Sequence, residues 1–208
     1  FDALVASTRA HPLPAGGRTL GPGEALTGIL GPLYARSTWP ALATALAAAQ
    51  RGDGGPLLAQ NDAYVMRHPD GTYGNEEVAN TAINCLDHPV PPLAQLPALA
   101  AQAARSAPYF GPPILWGAVV CDVWPVSATH APAPLRAPGA PPILVVGSTG
   151  DPVTRYQWAV SLAGELGSGV LVTRHGEGHA AYPFSPCVRA GVDAYLVSLT
   201  LPAQRDCT

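Results

Sequence analysis

The chain has 208 residues, 48% of them hydrophobic, which suits one large domain or a domain with an insertion and excludes a disordered composition. Its net charge is -3, all eleven basic residues are arginine, and no basic stripe is present, so nucleic acid is not an expected partner. No apolar run approaches the roughly 20 residues of a membrane-spanning helix, and 22 Gly with 24 Pro point to many turns.

Residues 1–22 read as loop, because HPLPAGG and LGPG break any regular period. Ala25, Leu26, Ile29, Leu30 and Leu33 then recur at helical spacing, with Pro32 limiting the helix. A second helix is predicted after Trp39 and Pro40, with Leu42, Ala43, Leu46 and Ala49 on one face and a stop at Gly52. Residues 75–84, NEEVANTAIN, read as a short helix that opens on acids, as the helix dipole favours. Residues 93–107 carry Leu96, Leu99, Ala100, Ala103 and Ala107 on one stripe, a further helix. The expected organisation is a mainly helical region over 1–113, followed over 114–208 by a region with strands.

In that second region, 114–122 (ILWGAVVCD) has the apolar, β-branched composition of a strand, although a buried helix would use the same residues. A linker, RAPGAPP, covers 136–142. The run ILVVG at 143–147 is bounded by Pro and Gly in the manner of a central parallel strand. A helix over 156–166, a second strand GVLVT at 169–173 and a helix over 186–199 complete a βαβα unit. The fold class is therefore α/β.

Two glycine-framed residues stand out in this unit: Asp151 in GSTGDPVTRYQWA and His179 in RHGEGHAAY. Each follows one of the two strands, and sites in open parallel sheets lie beyond the carboxyl ends of strands. Strands run about 4.8 Å apart, so a hydrogen bond from the imidazole to the acid is within reach. Such a bond fixes the tautomer and leaves the other ring nitrogen as a base. The plainer alternative makes Asp151 a turn residue and His179 a solvated one. A glycine-filled H-G-E-G-H will not form the helix that metal-binding H-E-x-x-H requires, so neither metal nor cofactor is expected.

Cys85, Cys121, Cys187 and Cys207 form an even set without C-x-x-C spacing, which favours two disulfides and an oxidising compartment over zinc or free thiols. Three pairings are open on the count alone.

The acid-then-histidine order is the tail of the α/β-hydrolase triad. Asp151-Pro152-Val153-Thr154 with Tyr156 and Ala159, then Gly176-x-Gly178-His179, resembles the C-terminal region of secreted actinobacterial tripeptidyl-aminopeptidase-like hydrolases. Further resemblance lies in Cys187 leading through VDAYLVSLTLP to Cys207, in Ala82-Ile83-Asn84-Cys85, in Cys121-Asp122-x-Trp124-Pro125, and in the cap-like LYARSTWPALATALAAAQRGD. One departure is Arg155, where that family often has proline. The resemblance implies the C-terminal part of an α/β-hydrolase core plus a mostly helical cap, a secreted protein whose targeting segment is already gone, Asp151 as triad acid and His179 as general base. It also implies pairing of Cys85 with Cys121 and of Cys187 with Cys207.

The nucleophile of that fold sits in G-x-S-x-G on a strand-to-helix elbow. Ser148 comes nearest, but Val146 occupies the first glycine position, and the other eight serines lack the frame. The expected partner is therefore an N-terminal fragment of the same hydrolase, or a separate chain, that carries the serine. Peptides cut near a free N-terminus are the favoured substrates. Glu76 and Glu77 could then hold the substrate ammonium, although acids opening a helix on a solvated face have a simpler explanation. Trp124 and Trp158 could line an acyl pocket, where core packing is the simpler explanation. An esterase, lipase or acyl-transfer enzyme would use the same triad. A non-catalytic binding module would leave Asp151 and His179 apart.

Overall fold

The computed structural model describes residues 1–208 apart from Pro89 and Thr129. They form two compact units, Phe1–Ile29 with Ala45–Ala133, and Leu30–Thr44 with Pro134–Thr208. The contact boundary thus falls after residue 133, and a segment from early in the chain belongs with the C-terminal unit. No helix among the described residues is long and apolar enough to cross a membrane.

The first unit opens with α1 (Asp2–Ala10), which turns Leu4, Val5 and Thr8 inward. A hairpin follows, β1 (Leu13–Ala15) against β2 (Arg18–Leu20), with Gly16 at φ +66° in its turn. Residues 1–22 are therefore structured, contrary to the loop read from sequence. The helix is short, and the Gly-Gly that breaks the period is the hairpin turn itself. Next come α2 (Pro22–Leu30), α3 (Trp39–Gln50), of which only the part from Ala45 belongs to this unit, and α4 (Gly55–Tyr64). A β-carbon on Gly28 would stand 2.4 Å from the Leu57 carbonyl oxygen, so α2 and α4 meet with backbone almost in contact. The core of this unit includes Leu20, Ala25, Leu57, Leu58 and Leu96. Asp62 on α4 accepts two hydrogen bonds from the Arg18 guanidinium on β2, at 2.5 and 3.0 Å.

The unit continues with α5 (Glu76–Asp87), α6 (Leu96–Ser106), α7 (Gly111–Gly117) and α8 (Val119–Asp122). The strand expected at 114–122 is thus helical. Pro112 and Pro113 stand in the first turn of α7, where the missing N–H costs nothing, and a continuous apolar run carries no period to separate the two states. Cys85 on α5 is bonded to Cys121 on α8.

The second unit holds β3 (Ile143–Gly150), α9 (Tyr156–Glu165), β4 (Gly169–Glu177), α10 (Pro186–Ser198) and β5 (Asp206–Cys207). The three strands are parallel, in the order β3-β4-β5. Alternation along the strands assigns their two faces. Leu144, Val146 and Val172 pack with Val188 and Val192 of α10, together with Ala181 and Cys207. Gly147 and Thr173 face α9: a β-carbon on Gly147 would lie 2.8 Å from that of Ala159, and the Tyr156 hydroxyl meets the Thr173 hydroxyl at 2.7 Å. Ser185 caps α10, accepting from Val188 N–H and donating to the Thr208 carbonyl at 3.1 Å. The Cys187–Cys207 disulfide fixes β5 to the start of α10.

Candidate active site

β3 and β4 run in register from Ile143↔Gly169 to Ser148↔Arg174, and a shift between Ser148 and Gly150 then breaks the ladder. Past that irregularity the two strand ends stay close. Gly178 N–H donates to the Gly150 carbonyl at 3.3 Å, and Gly176 N–H to the Thr149 hydroxyl at 3.2 Å. A β-carbon on Gly150 would stand 3.0 Å from the Gly176 carbonyl oxygen, so this approach needs glycine. Asp151 leaves the end of β3 and His179 follows the end of β4 by one glycine.

His179 Nδ1 lies 3.1 Å from Asp151 Oδ2 and 3.2 Å from Oδ1. The remaining capacity of the carboxylate is filled by backbone and hydroxyl donors. Oδ1 accepts from Val153 N–H and Thr154 N–H, both at 2.8 Å. Oδ2 accepts from the Thr154 hydroxyl at 2.9 Å and from Ala180 N–H at 3.0 Å. The Asp151 side chain is 3% exposed and that of His179 33%. Burial alone pushes the carboxyl up, but the hydrogen bonds from Ala180, Val153 and Thr154 outweigh it and hold Asp151 below its ordinary value. An ionised carboxylate only accepts, so Nδ1 carries the proton and Nε2 presents its lone pair. Among the described residues Nε2 has no hydrogen-bond partner.

The backbone around the imidazole is unusual on both sides. Gly178 has φ +112° and Ala180 φ +67°, the latter aiming its N–H at Asp151. Cβ-bearing residues rarely adopt such φ values, and strain of this kind gathers at functional sites. His179 N–H donates to the Tyr34 carbonyl at 2.7 Å, and the Tyr34 ring meets the imidazole edge-on with centroids 5.1 Å apart. Tyr34 belongs to the 30–44 segment of the same unit. Nothing in the sequence pattern marked it, because the contact joins distant parts of the chain.

The remaining residues of H-G-E-G-H each have a separate partner: His175 pairs with Asp206 at 3.1 Å and Glu177 with Arg36 at 3.3 Å. No trio of His, Cys, Asp or Glu among the described residues is arranged to hold a metal ion. Ser148 is 2% exposed and its hydroxyl lies 3.5 Å from the Arg174 guanidinium. No serine hydroxyl among the described residues reaches His179. Glu76 and Glu77 are exposed in the first turn of α5, and Trp124 is half-buried just beyond α8; all three belong to the other unit. Trp158 is 58% exposed on α9. The contact between Asp151 and His179 is what the binding-module reading required to be absent.

An acid after one parallel strand and a histidine after the next, joined by a hydrogen bond and flanked by helices on both faces, define the C-terminal part of an α/β-hydrolase. Residues 107–207 match the family described as TAP-like protein. Residues 107–207 are thus a TAP-like α/β-hydrolase region. Among curated relatives, it is 37% identical over 191 residues to a carboxylesterase B of Mycobacterium tuberculosis, covering 89% of this chain and 36% of the relative. It is 33% identical over 192 residues to the serine protease Hip1 of the same organism, with 89% and 36% covered. A tripeptidyl aminopeptidase of Streptomyces lividans is 28% identical over 199 residues, with 89% and 35% covered. The chain thus spans about a third of the length of these relatives.

Proposed function

We propose that this chain is the acid–base part of a secreted serine hydrolase, with Asp151 as triad acid and His179 as general base. The observation that carries the proposal is the Asp151–His179 hydrogen bond, which leaves the Nε2 lone pair available on a side chain that is 33% exposed. The nucleophile is a G-x-S-x-G serine on an N-terminal segment of the same hydrolase or on a separate chain. The outer edge of β3, unpaired among the described residues, offers such a segment a place to extend the sheet. Attack of the serine Oγ on the acyl carbon transfers its proton to Nε2, while Asp151 stabilises the imidazolium. Nε2 then protonates the leaving group, and water releases the acyl-enzyme by the same route.

Peptides with a free N-terminus are the favoured substrates. Relatives named serine protease and tripeptidyl aminopeptidase support this reading. The relative named carboxylesterase B supports the second one, an esterase with the same triad. Two disulfides, which persist in oxidising compartments, support the reading of a secreted protein.

The test combines the chain with the serine-bearing segment and measures labelling by a fluorophosphonate, then turnover of a tripeptide anilide and of a short acyl ester. His179→Ala should lower kcat by about 10⁶-fold and Asp151→Asn by about 10⁴-fold, as in other triads. Activity that survives both substitutions would refute the assignment. Faster turnover of the ester than of the peptide would favour the esterase reading.

A further inference from the structure

Arg174 is the one basic residue that is buried among the described residues, at 9% exposure. It points to the α10 face of the sheet, two residues along β4 from the core residue Val172. A buried guanidinium ordinarily pairs with a carboxylate, yet Arg174 has none among the described residues. Its contacts go instead to the segments that carry the acid and the histidine. Nη1 donates to the Glu177 carbonyl at 3.1 Å, two residues before His179. The same nitrogen lies 3.5 Å from the Ser148 hydroxyl, three residues before Asp151 and at the point where the ladder breaks. The guanidinium plane also covers the Phe184 ring at 5.3 Å, in the loop that returns from His179 towards α10. Gly176 leaves room for it, since a β-carbon there would lie 3.0 Å from Nη2.

We infer that Arg174 is a positioning residue for the Asp151–His179 pair. Its fork ties the end of β3, the end of β4 and the loop beyond, and so sets the distance between carboxylate and imidazole without touching either. The chemistry is specific to arginine. A methionine would fill the volume but donate nothing, and a lysine would donate without offering a flat face to Phe184. The inference rests on the acid–base reading above.

The test uses the whole chain and the Nδ1 proton of His179, whose downfield NMR resonance and exchange rate with water report the bond to Asp151. Arg174→Met and Gly176→Ala are compared with the parent. The second variant keeps the arginine and displaces its fork, which covers the case in which the first fails to fold. In either variant, solvent exchange of the Nδ1 proton should accelerate roughly tenfold, the size of one lost hydrogen bond to a charged group. The thermal midpoint alone does not report this effect. A parent resonance that persists with unchanged exchange in the folded variants overturns the role of Arg174 and leaves the pair intact. Absence of the resonance in the parent overturns the pair itself, and the inference with it.

Discussion

Asp151 gathers its donors from three places: the turn that follows it, the imidazole, and the strained amide of Ala180. A carboxyl held below its ordinary value binds fewer protons in the folded than in the unfolded state. It therefore contributes stability that is present above the unfolded value, about 3.9, and lost as pH falls through the folded value. Asp62, lowered chiefly by its hydrogen bond from Arg18, acts in the same direction. Urea unfolding at pH 6 and pH 3 should show the parent losing stability in acid. Asp151→Asn should cost about 2 kcal/mol at pH 6, from amide donors that lose their charged acceptor, and the gap to the parent should narrow at pH 3. A gap that is equal at both pH values would mean that the carboxylate is not preferentially ionised in the fold.

At the scale of elements, the two disulfides do different work. Cys85–Cys121 closes a separation of 36 residues and joins two helices of the first unit. Cys187–Cys207 closes 20 residues and fastens a strand only two residues long. Replacing Cys187 and Cys207 by serine should cost about 3 kcal/mol by loss of chain restriction, read as a lower denaturant midpoint. It should also release the Thr208 carbonyl from Ser185. An unchanged midpoint would show that β5 holds by its ladder alone. The sequence made β3 and β4 plain, because compact apolar runs between Pro and Gly have one common reading. It also marked α2, α3, α6 and α10 by their periodicity and α5 by the acids that open it. It concealed α4, which opens on Gly-Pro, and β5, too short to carry any period. It misplaced the apolar stretch of α7 and α8, since periodicity cannot sort a run that is apolar throughout.

For the whole molecule, the legible part of the site was the part that local geometry fixes. Asp151 and His179 could be found because each follows a recognisable strand within a glycine-rich turn. Tyr34 could not, because its contact with His179 depends on tertiary folding. Arg174 left a faint trace, a charge at an inward position of β4, where alternation calls for an apolar residue. The free side of β3 has a consequence of another kind. Soluble proteins usually blunt an open strand edge with lysine, proline or an inward charge. The stretch ILVVGSTG has none of these, and the chain contains no lysine at all. Purified without a strand to cover that edge, the chain should associate with itself as its concentration rises, visible by light scattering. A single arginine introduced at Val145 or Gly147 would spoil the fold, so the remedy for this stickiness is a covering strand rather than a surface mutation.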